Sequence, residues 1–451
     1  MDFKTTKAAL ESTLQFGIHP SLDGIRALTF SMGRPQDSFA SVQVTGTNGK
    51  SSTTRLIAAM VTAEGLRTGA YTSPHLESYT ERVEIDGAPV SESDFATAVS
   101  EAMEAAHRFG DETRVAEASD TAGAFTEFEL LTAAAMSLMR EKHVDVACLE
   151  VGMGGRWDAT SVVDPAVAVI TGVGLDHTER LGSTVDAIAH DKSYVIKPGS
   201  SVVLGPGTWP VVDVFLERCA SLSLHPRFVA ETGHDSAVPE ASTVRFSVRQ
   251  RPDRPGGSVL VDVRGIHADY RGLELAAPSY QASNVAVAVA AAECVLGRAL
   301  TLEKVRSALA GMRFPGRFEL VCEEPPVVID GAHNPQAAAV LAGAIAEAWP
   351  DPNARPWCVL GVLKDKDAEG IVTALAPVVD RFVVTQSRNS RAREAGDLAA
   401  IVERATGAWP EIVPDLEEAV GHACAHAGAH GVVVTGSLYT VGGARGLLRL
   451  P

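Results

Sequence analysis

The chain has 451 residues, 46% hydrophobic and 21% charged, with 56 acidic against 39 basic side chains and a formal net charge of −17. That length allows two or more hydrophobic cores. The acidity excludes general nucleic-acid binding, which needs a basic face, yet leaves room for small anionic substrates in a local basic pocket.

The first stretch, Met1 to Phe16, is mixed polar and carries Asp2 and Glu11, so it is no signal peptide. No apolar run approaches the roughly 20 residues that cross a bilayer. Six cysteines (Cys148, Cys219, Cys294, Cys322, Cys358 and Cys424) stand singly with no CxxC pair, which suits a reducing compartment better than a disulfide frame or zinc site. The expectation is a cytoplasmic protein with no membrane or nucleic-acid partner.

Ser41 to Ser52, SVQVTGTNGKSS, is a short apolar strand running into a glycine loop and then a helix. Gly46 and Gly49 permit a tight backbone path, and the helix start near Lys50 adds the positive end of its dipole, so the loop reads as a phosphate cradle. Lys50 would reach the terminal phosphates and Ser51 would hold magnesium, with Gly46, Thr47, Asn48, Gly49 and Ser52 around the nucleotide. Val44 occupies the place of the standard first glycine, which makes the loop a shortened one. The plain alternative is a strand-turn-helix corner, which would not need Gly-Lys-Ser.

Beyond the loop, Ser52 to Glu64 has helical apolar spacing and stops at Gly65. Thr68 to Thr72 reads as a strand, Glu127 to Glu141 as a helix, and Val144 to Leu149, Ala166 to Thr171 and Ser201 to Leu204 as strands. This alternation predicts a mostly parallel sheet covered on both faces. Short alternating runs at 244–248, 258–263 and 270–275 predict a small antiparallel patch, and helical patterns return at Tyr280 to Leu296 and Leu302 to Met312. Phe314-Pro315-Gly316-Arg317 then punctuates the chain. The predicted class is α/β: a P-loop ATPase domain over residues 1–316, and a C-terminal Rossmann-like α/β domain over 317–451 with strands near Val327, Trp357, Arg381 and Val432.

Ligands of open α/β sheets bind beyond the carboxyl ends of the strands, and here those ends are polar. They read Thr72-Ser73-Pro74-His75, then Glu150 through Arg156, then Gly174-Leu175-Asp176-His177. Glu150 is a hard ligand suited to magnesium. Imidazole prefers softer metals, so the plain reading of His177 is structural.

Taken together, GTNGK, TSPHLESYTER, EVGMGGRWDAT, DHTERLG, PGRFE and DGAHNP, in this order from Thr45 to the Gly436-Ser437-Leu438-Tyr439 turn, resemble the folylpolyglutamate synthase and dihydrofolate synthase family of the Mur ligase superfamily. The resemblance implies a ligase that uses ATP and magnesium to join glutamate to dihydropteroate or folate through an acyl phosphate. Such chemistry needs no protein nucleophile, which agrees with the lack of a serine-histidine or cysteine-histidine signature. It implies a first magnesium on Ser51, Ser73 and Glu150, a second served by His177, and Lys50, His177 and Lys192 as catalytic residues. Lys192, in Ile188-Ala189-His190-Asp191-Lys192, falls where the family carries a carbamylated lysine. Its plain alternative is an ammonium paired with phosphate or Glu150. Asn284, Arg317, Asp330 and His333 would complete the nucleotide site, although Asn334-Pro335 is also a good helix start by itself. Arg82 and Arg156 are expected on the substrate side. So is Phe128, whose spacing with Phe125, Leu131 and Leu138 equally suits the core.

The expected protein is a monomer that makes dihydrofolate, extends polyglutamates, or does both, with the bifunctional reading favoured. Cell-wall Mur ligases are a rival, but they carry an extra N-terminal domain and only 44 residues precede Thr45. The other rival is a nucleotide-dependent switch, which would not need Glu150, His177 and Lys192 together with Asp330 and His333.

Overall fold

The computed structural model describes residues 1–13, 20–116, 125–233 and 240–448. Eleven strands form its larger sheet: β1 (Ala40–Thr45), β2 (Thr68–Tyr71), β3 (Val83–Ile85), β4 (Ala88–Pro89), β5 (Val146–Glu150), β6 (Val167–Gly172), β7 (Ser201–Gly207), β8 (Arg227–Glu231), β9 (Thr243–Gln250), β10 (Val259–Arg264) and β11 (Asp269–Leu275). Their order is β11-β10-β9-β8-β7-β6-β1-β5-β2-β3-β4. From β9 through β2 every neighbouring pair is parallel, whereas β2-β3 and β3-β4 are antiparallel.

The fold is thus the expected mostly parallel α/β sheet with an antiparallel patch in the 243–275 region. The short antiparallel edge at β3 and β4 is an addition. Because parallel strands are joined by crossovers, both faces of this sheet are covered, and its central strands are buried even where β1 carries Ser41, Gln43 and Thr45. On one face, Ala147 and Leu149 of β5 pack with Leu130, Leu131 and Leu138. On the same face, since Gln43 is in register with both Leu149 and Ala168, Ala168 and Ile170 of β6 pack with Ile188, Val195 and Phe215.

The helix Glu127–Glu141 begins where the sequence places it, because Thr126 and Glu129 form a reciprocal capping box. The Thr126 hydroxyl accepts from the Glu129 N–H at 3.2 Å, and the Glu129 carboxylate accepts from the Thr126 N–H at 2.9 Å. Gly123, just before it, lies outside the described residues. Helices at Val185–Ser193, Val212–Ser221, Phe3–Ser12, Asp23–Ser31 and Glu92–Ala116 were not anticipated. The last buries Phe95 and Val99 among alanines (Ala98, Ala102, Ala105), so its apolar stripe is faint to periodicity. Strand β8 also escaped notice, being a five-residue run directly after a proline.

A second sheet holds β12 (Glu319–Glu323), β13 (Pro326–Ile329), β14 (Trp357–Leu360), β15 (Arg381–Val384), β16 (Glu411–Ile412) and β17 (Val432–Thr435), in the order β12-β13-β17-β14-β15-β16. All its pairs are parallel except β12-β13. By compactness the chain falls into two units, one of Met1–Ser247, Val263–Arg271 and Ser283–Leu309, the other of Val248–Asp262, Gly272–Ala282 and Ala310–Pro451. No helix among the described residues is long and apolar enough to cross a membrane. All six cysteines are unpaired thiols.

Candidate active site

In the first unit, β1 lies between β5 and β6, with β2 beyond β5, so the loops that leave these four strand ends are neighbours. The glycine loop after β1 is pinned mainly by β6. The Thr47 N–H donates to the Gly172 carbonyl at 2.9 Å, and the Thr171 hydroxyl donates to the Asn48 carbonyl at 2.6 Å. Gly46, at φ 155°, lies so close to Thr171 that a Cβ there would overlap the hydroxyl. Gly49, at φ 82°, would meet the Asn284 side-chain oxygen at 2.8 Å, so Asn284 packs on the loop. The helix Lys50–Ala63 starts at Gly49 with no side-chain cap, which leaves its first turn suited to phosphate. Lys50 Nζ bends back to the Thr47 carbonyl at 3.2 Å.

Glu150 ends β5 between these loops and is 2% exposed. One carboxylate oxygen accepts from the Ser51 hydroxyl at 2.9 Å and the other from the Ser73 N–H at 3.0 Å. The three residues expected to hold the first magnesium are therefore together. Their hydroxyl and carboxylate oxygens are the hard donors that magnesium takes, few enough to leave places for water and phosphate. Among the described residues no three His, Cys, Asp or Glu side chains gather to hold an ion by themselves. His177 follows β6, on the other side of β1 from Glu150, so it is not part of the Ser51-Ser73-Glu150 group. It is exposed, opens the short helix Thr178–Leu181 at φ 52°, and its N–H donates to the Asp176 carboxylate at 2.9 Å.

Lys192 is 4% exposed, and its Nζ donates to the Gly46 carbonyl at 3.0 Å rather than pairing with Glu150. Burial, helped by the Lys50 charge, pulls its pKa down to about 7 against the opposing pull of Asp191, Asp176 and Asp158. The preceding Asp191 accepts the Gly155 N–H at 2.9 Å, and a Cβ on Gly154 would overlap its carboxylate. The turn after Glu150 is thus bound to the lysine's helix, Val185–Ser193. Thr45 ties the same turn to β1, donating its hydroxyl to the Gly154 carbonyl at 2.6 Å. Buried Asp158 accepts from the Met153 N–H at 3.0 Å and the Thr160 hydroxyl at 2.6 Å. Sequence reasoning missed Thr45, Asp158 and Asp191. A short polar side chain beside a glycine-rich turn is the signal that could have found them.

Phe128 takes the core reading and also reaches the turn after Glu150. It packs against the core cluster, and its ring tip would lie 2.7 Å from a Cβ on Gly152. Arg82 is turned inward, 8% exposed, with its Nε donating to His75 Nδ1 at 2.9 Å and its guanidinium 5.4 Å from the Tyr79 ring. Tyr79 in turn donates to Glu127 at 2.5 Å. Burial first, then Arg82, push the His75 pKa down to about 3, so this imidazole is a neutral acceptor. Arg156 is exposed beside Trp157.

In the second unit, Asp330 follows β13 and is 6% exposed. Its two oxygens accept the Phe318 and Ala332 N–H groups, each at 2.8 Å, so one carboxylate braces the Pro-Gly-Arg turn and the Gly-Ala-His turn. Burial raises its pKa, with Arg317 opposing. A Cβ on Gly331 would stand 2.5 Å from an Arg317 nitrogen, so the guanidinium lies over that glycine. His333 Nδ1 is 2.8 Å from the Gly331 carbonyl, and Asn334 caps the helix Pro335–Ala348. Arg317, Asp330 and His333 thus lie around one corner of this unit, and the helix-start reading of Asn334-Pro335 holds as well.

Residues 44–203 match the Mur ligase middle domain, and residues 316–438 the Mur ligase glutamate ligase domain. The chain is 36% identical, over 460 residues, to a dihydrofolate synthase/folylpolyglutamate synthase of Mycobacterium tuberculosis, covering 95% of this chain and 90% of that one. Its structure is similar to the M. tuberculosis folylpolyglutamate synthase complexed with ADP, at a TM-score of 0.89 and 34% identity over 100% of both chains. It is also similar to Escherichia coli FolC in complex with DHPP and ADP, at a TM-score of 0.84 and 27% identity over 99% of this chain and 97% of that one.

Proposed function

Since the chain belongs to the dihydrofolate synthase/folylpolyglutamate synthase family of Mur ligases, we propose that it joins L-glutamate both to dihydropteroate and to the γ-carboxylate of folates, at the expense of ATP. The observation that carries this reading is the Glu150 carboxylate, held between the Ser51 hydroxyl and the Ser73 N–H at the mouth of the phosphate loop.

A carboxylate is a poor electrophile with a poor leaving group. Its oxygen attacks the γ-phosphorus of ATP, ADP departs, and the acyl phosphate so formed is attacked by the amine of glutamate. The new C–N bond expels phosphate, and the amine loses a proton to solvent or phosphate. Lys50 and the first turn of its helix neutralise charge on the transferring phosphoryl group. Magnesium would be held by Ser51, Ser73 and Glu150 and would supply Lewis-acid stabilisation of the same oxygens.

For a second magnesium we assign His177 together with a carbamylated Lys192. The lowered pKa supports this, because the neutral amine is the form that takes up carbon dioxide, and carbamylation turns a buried cation into an oxygen ligand. Residues 1–316 are assigned to ATP and acceptor, and residues 317–451 to the glutamate-ligase half.

The test is purified protein with ATP, magnesium and glutamate, offered dihydropteroate or tetrahydrofolate. ADP release should require acceptor and glutamate together, with both acceptors elongated. ATP turnover independent of acceptor would refute the ligase reading in favour of a switch, and elongation of tetrahydrofolate alone would reduce the enzyme to a folylpolyglutamate synthase.

A further inference from the structure

Two arginines face one ring on the rim of this site. The guanidinium carbons of Arg156 and Arg218 lie 4.6 and 5.0 Å from the centroid of Tyr194. Arg156 also stands 4.6 Å from the ring centre of Trp157, and His190 meets Tyr194 edge-on at 5.4 Å. Arg218 is anchored, since its Nε and Nη2 donate to the Ile196 carbonyl at 3.2 and 3.0 Å.

Arg156 is exposed, and among the described residues its guanidinium touches only the two rings. Other exposed arginines of this chain are neutralised by carboxylates: Arg245 and Arg264 share Glu240, Arg251 meets Glu347 and Arg298 meets Glu64. Two guanidiniums about one ring repel each other, and the rings beside Arg156 hold its planar fork at little further entropic cost. The group that completes such an arrangement is a planar anion able to take two parallel N–H bonds, a carboxylate.

The place of the stack suggests which carboxylate. The Arg156 N–H reaches the Asp191 carboxylate at 3.4 Å, so the arginine hangs from the turn that links Glu150 to the helix of Lys192 while its side chain stands in solvent. On the ligase reading above, dihydropteroate brings one carboxylate, which is the reacting group. A γ-glutamyl folate brings the reacting carboxylate and one α-carboxylate for every residue of its tail. We propose that Arg156, braced by Trp157 and Tyr194, is an outer subsite for the α-carboxylates of the γ-glutamyl tail, and so sets the preference for acceptors that are already glutamylated.

The test compares kcat/KM for tetrahydropteroyltriglutamate and for dihydropteroate in wild type, R156Q, R156K and W157L, with ATP and glutamate saturating. R156Q should lower the ratio of triglutamate to dihydropteroate about tenfold, the size expected of one lost charge-assisted pair at a surface. The loss should lie in KM, be partly restored in R156K, and shrink in the wild type as salt is raised. W157L, which keeps the charge but removes one wall, should fall between and reads the subsite even where R156Q does not fold. An unchanged ratio, an equal fall for both acceptors, or a rise in the KM for glutamate instead would overturn the subsite. A wild type that ligates neither acceptor defeats the ligase reading alone. The subsite is then read by tryptophan quenching with tri-γ-glutamate, which should bind R156Q about tenfold more weakly, and equal binding would overturn it.

Discussion

Replacing Lys192 separates a carbamate from an ammonium. An ordinary lysine with a pKa of 10.5 is neutral in about one molecule per thousand at pH 7.5, whereas one pulled down to about 7 is neutral in roughly three quarters. The pool of amine able to take up carbon dioxide is therefore several hundred times larger at this position than at a surface lysine. With 13C-labelled bicarbonate, the protein should show one carbamate carbonyl resonance that disappears in Lys192→Ala. Removing bicarbonate should lower ligation reversibly, and Lys192→Ala should lose about a hundredfold or more, the range for one lost electrostatic contact to a transition state. Short-chain carboxylates such as acetate should return part of that activity. A spectrum without the resonance, from enzyme that is fully active with bicarbonate removed, would refute the reasoning and return Lys192 to the role of a plain cation.

Lys50→Ala should lower kcat about a hundredfold or more in a folded protein, read as acyl-phosphate formation in a single turnover, because its charge is needed only as the phosphoryl group moves. Near-normal turnover would sink the phosphate-cradle reading. Gly46→Ala should abolish ATP binding in a titration with a fluorescent analogue, since a side chain at φ 155° costs on the order of 1–3 kcal/mol and must also displace Thr171. The His75 pKa is about 3 folded against 6.5 in the open chain, so between these values the unfolded state holds more protons. Stability should then fall as pH drops from about 6.5 towards 3, by up to ~1.4 kcal/mol per pH unit, and His75→Asn should flatten that limb of a urea-unfolding series.

The parts of the site that come from one short segment were legible in the chain. Gly46 through Ser51 announce a phosphate loop because the chemistry and the backbone geometry both need those residue types in that order. Glu150 could be placed at a strand end because the apolar run before it is continuous. Less visible were the ties between segments, such as the Thr45 hydroxyl on Gly154 or the Asp191 carboxylate on Gly155, since each depends on two stretches distant in sequence. Helix Glu92–Ala116 escaped for another reason, because alanine buries little area per residue and blurs the periodicity that marks a buried face. The contacts of Arg82 with His75 and Tyr79 were hidden too, like the ties between segments.

The seating of Asn284 against Gly49 also bears on how this protein is made. The phosphate loop leaves the ribosome early, flanked on its sheet only by what has already been synthesised, and β5 and β6 that enclose it come much later. The side chain that packs on its last glycine arrives later still. Contacts so distant along the chain close slowly, and a ligand stabilises only a state that can bind it. If Asn284 belongs to the nucleotide site as proposed, ATP would stabilise the nascent chain only once the helix Gln281–Leu296 has emerged, and until then the unfinished sheet keeps open strand edges.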